Sequence, residues 1–178
     1  MKENEFNLIN YAIIGRLNKE IKELKKLYQA SVDGDRGVDF HRKCDKIPNT
    51  LVLVKSAGNR RFGGFTTLTW DFWNNNNSQK TDDNAFLFSL DKKQIYNHKK
   101  GHYAISCNPE DGPSFGNCFY LNDNSIKEKA LYTNESYSNS NSNYSGFDFN
   151  GDDNALSEDG KGCGIYATEY EVFQVIFS

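Results

Sequence analysis

From Leu51 to the C-terminus the chain is a succession of short apolar runs, with no helix-length amphipathic segment between them. Leu51-Val52-Leu53-Val54 is one run, and Phe62, Phe65 and Leu68 around the pair Gly63-Gly64 form a second. Ala85-Phe86-Leu87-Phe88-Ser89-Leu90 is apolar enough to be buried on both faces. Gln94 to Tyr96, Tyr103 to Cys107 and Asn117 to Leu121 read as further strands. In Tyr170 to Phe177, Val172, Gln174 and Ile176 oppose Phe173, Val175 and Phe177. Parallel neighbours need crossovers of a dozen residues or more, usually helical, and such crossovers are missing here. The pattern predicts an antiparallel β architecture and excludes a doubly wound parallel sheet.

The N-terminal part has a different texture. Phe6, Ile9, Ile13, Leu17, Ile21, Leu24 and Tyr28 recur three and four apart, which predicts helix over the first thirty residues. Lys19, Glu20, Lys22, Glu23, Lys25 and Lys26 fill its other faces. No Glu precedes a Lys by four there, so packing must hold it. Gly15 is a candidate break. Ser31 to Gly37 is turn chemistry, and a short helix is expected from Val38 to Cys44 with Phe40 facing inward, closed before Pro48. Asn74 to Asn77 and Ser136 to Ser145 are low in complexity and are expected to be exposed loops.

The chain has 178 residues, a length suited to one domain, and its 14% aromatic content supplies a core. A net charge of -3 argues against a broad nucleic-acid or anionic-membrane footprint. No apolar run approaches the ~20 residues of a membrane-spanning helix, and the charged residues 1–5, with no apolar segment behind them, are not expected to act as a secretory signal. Cys44, Cys107, Cys118 and Cys163 are scattered with no C-x-x-C pair, as expected of free thiols in a reducing compartment. A cytoplasmic location follows as an expectation.

Familiar catalytic, phosphate-binding and dinucleotide-binding signatures are missing, and no cofactor or metal is expected. His98 and His102 have the i, i+4 spacing of zinc ligands, with Cys107 beyond, but Gly101 and the strand-like residues after it favour a polar hairpin. Asp33, Asp35 and Asp39, and separately Asp148, Asn150, Asp152 and Asp159, partly match a calcium-loop spacing. Both sets lack the glycine that its sharp turn needs. His41 and Cys44, with Asp45 adjacent, could form a thiolate–imidazole pair. A Cys44 lowered in pKa by His41, Arg42 and Lys43 would be a redox candidate. Gly112-Pro113-Ser114-Phe115-Gly116 reads as a tight loop anchored by Phe115, with positive φ at its glycines. It is either structural or a rigid recognition loop.

Together these segments resemble a TLDc domain, the domain shared by the eukaryotic oxidation-resistance proteins. Leu27-Tyr28, Ser31 and Asp33-Gly34 look like its opening motif. Phe40-His41 with Cys44-Asp45, then Thr50-Leu51, follow in order. Phe62-Gly63-Gly64-Phe65-Thr66 with Trp70, the run 85–90, the segment 112–116 and Glu171-Val172-Phe173-Gln174-Val175 complete the series. The resemblance covers about residues 24–178, leaving residues 1–23 as a helical extension packed on the domain. It implies an α+β, mainly β fold, a sandwich of two antiparallel sheets flanked by short helices. It also implies a role in oxidative-stress resistance and binding to the cytosolic part of the vacuolar-type proton pump, without a transferable catalytic residue. Gly63, Gly64, Phe65, Trp70, Gly112, Pro113, Phe115, Gly116 and Glu171 are its motif residues, and the glycines among them are expected to maintain the fold. The alternative is a thiol-dependent scavenging activity centred on an exposed cysteine.

Overall fold

The structure, a computed structural model, describes residues 1–71, 78–133, 146–156 and 164–178. Helix α1 (Glu3–Leu17) leads into strand β1 (Ile21–Gln29), then α2 (Ala30–Asp33) and α3 (Gly37–Cys44). Strands β2 (Thr50–Ser56), β3 (Arg61–Thr66), β4 (Gln79–Lys80), β5 (Phe86–Ser89), β6 (Gln94–Asn97) and β7 (Ile105–Ser106) follow. After them come β8 (Ser114–Phe115), β9 (Phe119–Leu121), β10 (Leu131–Thr133), β11 (Gly164–Ile165) and β12 (Ala167–Phe177). Among the described residues these strands form two six-stranded sheets, ordered β1-β12-β2-β3-β5-β6 and β11-β10-β9-β8-β7-β4. Every pairing is antiparallel. The fold is mainly β, as the short apolar runs predict.

Two apolar layers follow from strand alternation. Val52, Val54, Phe62, Leu87 and Val172 of the first sheet pack against Phe115, Phe119, Leu121 and Leu131 of the second. The opposite face of the first sheet, bearing Leu51, Phe65, Phe86, Phe88 and Val175, is covered by Ile9, Ala12 and Ile13 of α1. Glu5 ties this helix to Arg61 at 2.6 Å, and the Asn10 side chain accepts the Ile21 N–H at 2.8 Å. Gly15 does not break α1. At the far edge, residues 146–148 pair with the end of β6 through Lys99 N–H to Gly146 O and Asp148 N–H to Asn97 O. Lys92 and Asp152 latch the same segment at 2.5 Å. Among the described residues no helix is long and apolar enough to cross a membrane.

The structure corrects the first thirty residues. The helix stops at Leu17, where Asn18 turns left-handed at φ 52°, and residues 21–29 form an edge strand against β12. The spacing of Ile21, Leu24 and Tyr28 imitates a helix because the β1–β12 register shifts between Ile21 and Glu23 and again between Lys26 and Tyr28. Each irregularity breaks the two-residue alternation that would have marked a strand. Within 103–107 the strand is confined to Ile105–Ser106, and within 117–121 it begins at Phe119 because Cys118 N–H closes a turn on Phe115 O at 3.0 Å. Asn74–Asn77 and Ser136–Ser145 lie outside the described residues.

Candidate functional site

Most of the aromatic motif residues, Tyr28, Phe40, Phe62, Trp70 and Phe115, converge on one aromatic chain through the sandwich. Ring centroids lie 5.4 Å apart for Tyr170–Tyr28, 6.0 Å for Tyr28–Phe40, 5.4 Å for Phe40–Trp70 and 5.5 Å for Trp70–Phe115. Phe115 and Phe62 both meet Phe119, at 5.1 and 5.6 Å. Several contacts are edge-on, the arrangement ring quadrupoles favour, and each such pair adds about 0.5–1.5 kcal/mol beyond burial. The polar tips are satisfied inside this core. Trp70 Nε1–H donates to Thr50 Oγ1 at 2.8 Å, and the Tyr28 hydroxyl lies 2.5 Å from Gly34 O and 2.9 Å from the Tyr170 hydroxyl.

The glycines are explained by crowding. A Cβ on Gly63 would lie 1.9 Å from Val52 O, and one on Gly64 would lie 2.7 Å from the Phe115 ring. The register of β3 against β2 and β5 runs unbroken through both, so they mark close approach and not a bulge. The segment 112–116 is corrected in two respects. Ser114–Phe115 is itself strand β8, pairing Ser114 with Tyr120 and Phe115 with Phe119, and Phe115 is fully buried. Only Gly116 has positive φ, at 54°. Gly112 instead packs against Leu121 O, which accepts its N–H at 2.7 Å, while Pro113 O accepts the Leu121 N–H. Phe65 belongs to the layer under α1, and Glu171 pairs with Lys26 across β12 and β1.

His41 and Cys44 do not form a catalytic pair. His41 Nδ1 lies 2.6 Å from Asp45 Oδ1 and Nε2 lies 3.0 Å from Asn108 O. Both partners accept, so the ring is suited to carry two N–H donors. Burial alone would push its pKa down, but the Asp45 carboxylate and the carbonyls of Asn108 and Asp111 outweigh burial and raise it. Cys44 points the other way, into the core. Burial first, then Asp45 and Asp33, push its thiol far up, the reverse of an activated thiolate. Cys44 is therefore not the exposed redox cysteine that its basic neighbours suggested, because Arg42 and Lys43 face solvent while the thiol faces Phe40 and its neighbours. Cys107 is buried and pushed up to about 11 mainly by burial, and Cys118 is buried. Cys163 lies outside the described residues.

The carboxylates considered for calcium have separate duties. Asp33 accepts the Gln29 N–H and pairs with Lys43 at 3.1 Å. Asp35 accepts the Ile126 N–H at 2.6 Å, and Asp39 faces Arg42 and Arg36. Asp148 accepts the Asn150 N–H, Asp152 pairs with Lys92, and Asp159 lies outside the described residues. His98 Nε2 lies 3.1 Å from His102 O, and its ring packs edge-on against Phe147. Among the described residues no three His, Cys, Asp or Glu side chains converge as a ligand set. Sequence reasoning missed the His41–Asp45–Asn108 clamp. Its local half is visible in the sequence as the i, i+4 pair His41 and Asp45, whereas Asn108 is distant in the chain and leaves no local signal.

No curated protein matches the chain. The TLDc domain model matches residues 1–176, nearly the whole sequence and including α1. With the two-sheet sandwich and the ordered motifs that build its aromatic chain, the chain belongs to the TLDc domain family.

Proposed function

We propose that this chain is a non-enzymatic protein-interaction domain of the cytosol, acting in resistance to oxidative stress, with the cytosolic sector of the vacuolar-type proton pump as its partner. The observation that carries the reading is the family match over residues 1–176. The chemistry inside the sandwich is consistent with it. Motif side chains are spent on packing, Cys44 is buried with a raised pKa, and His41 is committed to Asp45 and Asn108. Function then rests on the surface that this core holds rigid.

The test is direct. Purified protein mixed with the purified cytosolic sector of the pump is expected to co-migrate in size-exclusion chromatography and to give a saturable binding isotherm. Absence of both, at protein concentrations well above ordinary interface dissociation constants, would reject this partner. In parallel, peroxide consumption by the protein is expected to be the same for the parent and Cys44→Ser. A lower rate for the variant would restore a thiol activity.

A further inference from the structure

The corner formed by α2 and α3 stands out from the rest of the described surface. Val32 on α2 is 74% exposed and Val38 on α3 is 53% exposed, although both elements are anchored in the core through Ala30, Phe40 and Cys44. Three cations lie on the same corner, Arg36 between the two helices and Arg42 and Lys43 on α3. The side chains of Arg36, Arg42 and Lys43 are 60%, 61% and 43% exposed. The carboxylates that hold these cations, Asp33 and Asp39, are mostly buried. Arg42 reaches Asp39 Oδ1 at 3.3 Å and donates to Asp33 O at 3.2 Å, while Lys43 reaches Asp33 at 3.1 Å and Arg36 reaches Asp39 at 3.4 Å. The acids point inward and the cations outward. Val38 and Arg42, four apart, share one helix face, and Val32 adjoins the Asp33 that Arg42 and Lys43 hold.

We propose that this α2–α3 corner is a docking surface for an acidic protein segment, its aliphatic side chains seated on Val32 and Val38 and its carboxylates on Arg36, Arg42 and Lys43. Arg36, Arg42 and Lys43 project outward while Asp33 and Asp39 are withdrawn beneath them, so the charge this corner presents is positive and complements an acidic segment. Exposed Asp123, which accepts the Gly37 N–H, bounds the patch at the start of α3. Arginine held in place by a second carboxylate keeps its remaining donors aimed outward, which suits bidentate recognition of carboxylate. The same anchoring favours a protein over a lipid surface. Two short valines lack the Trp, Phe or Leu side chains that insert at a membrane interface. The inference deepens the reading of the chain as an interaction domain and names the chemistry of its partner.

The experiment uses the full chain and two short synthetic peptides, one rich in glutamate around a central Leu-Leu pair and one with lysine in place of each glutamate. Binding is read by amide chemical shifts and titration. The acidic peptide is expected to perturb residues 32–43 and to weaken with salt. Arg36→Glu/Arg42→Glu is expected to reduce affinity roughly tenfold or more, and Val32→Ser/Val38→Ser to reduce it less. Lys93→Glu/Lys100→Glu should leave binding unchanged. Because Arg36 and Arg42 also pair with Asp39, Arg36→Gln/Arg42→Gln is titrated beside the charge reversal and is expected to weaken binding too, each variant being measured below its own unfolding midpoint. Equal binding of the lysine peptide, perturbations elsewhere or none, or indifference to the arginine substitutions would overturn the proposal. So would binding of the corner to phosphatidylserine-containing vesicles in place of the acidic peptide. The pump sector provides a separate arm. If the sector does not bind the parent while the acidic peptide maps to the corner, the partner reading falls and the surface stands. If the sector binds the parent and Arg36→Glu/Arg42→Glu alike, the surface falls and the partner reading stands.

Discussion

His41 joins the end of α3 to the segment that precedes β8, and it does so through charge. Its pKa is raised in the fold by Asp45 and the Asn108 and Asp111 carbonyls, which overcome burial. A raised folded value means that the protonated ring stabilises the native state. The contribution is full below the unfolded value of about 6.5 and is lost as pH rises through the higher folded value. Removing one partner of a charge-assisted hydrogen bond costs about 1.5–3 kcal/mol. His41→Gln is therefore expected to destabilise the protein by about that amount near pH 5.5, and by clearly less near pH 9. Urea unfolding of parent and variant at both pH values checks this. A difference that grows with pH would show that the neutral ring, not the imidazolium, is the stabilising form.

At the scale of one element, β3 shows why two adjacent glycines sit in a buried strand. Gly63 faces a backbone carbonyl, Val52 O, which the β2–β3 ladder holds in place, and Gly64 faces the ring of Phe115 from the opposing sheet. Overpacking of a core costs about 1–3 kcal/mol, and the cost rises when the obstacle cannot move. Gly64→Val is expected to fall in that range, a loss of roughly 2–4 °C per kcal/mol for a chain of this size. Gly63→Ala is expected to cost at least as much despite its smaller side chain, because its obstacle is backbone. Thermal unfolding orders the two. A Gly64→Val protein that melts like the parent yet no longer binds its partner would make Gly64 part of a recognition site and not a packing site.

Across the whole molecule, the first sheet has apolar side chains on both faces and needs cover on both. The second sheet covers one and α1 the other. Without α1, Leu51, Phe65, Phe86 and Phe88 would lose their cover, and each fully buried side chain of this kind represents about 1.5–3 kcal/mol. The fragment 24–178 also lacks Ile21, Lys22 and Glu23 of the edge strand. This fragment is expected to populate a soluble folded monomer far less than the full chain, with increased dye binding to exposed apolar surface. Size-exclusion chromatography and dye fluorescence measure both. A monomeric fragment that unfolds cooperatively at the parent's midpoint would make α1 a dispensable appendage.

The sequence by itself determined the class of the fold, because short apolar runs with short connections leave antiparallel pairing as the way to satisfy their backbone groups. It also marked α3, with Phe40 turned inward, and the main strands of the first sheet. In these segments local periodicity and final burial agree. Only the tertiary structure decided the rest. Residues 21–29 became a strand because β12 supplied a partner, and their irregular register hid the alternation. Strands β4, β8, β10 and β11 have two or three residues each, too short to leave a periodic signal. The candidate site divided in the same way. The motif residues could be found by their order in the chain, but whether Cys44 met solvent or core depended on which way α3 rolled against Tyr28 and Trp70. That rotation is set by packing between distant elements, and the identities of Cys44 and its basic neighbours do not encode it.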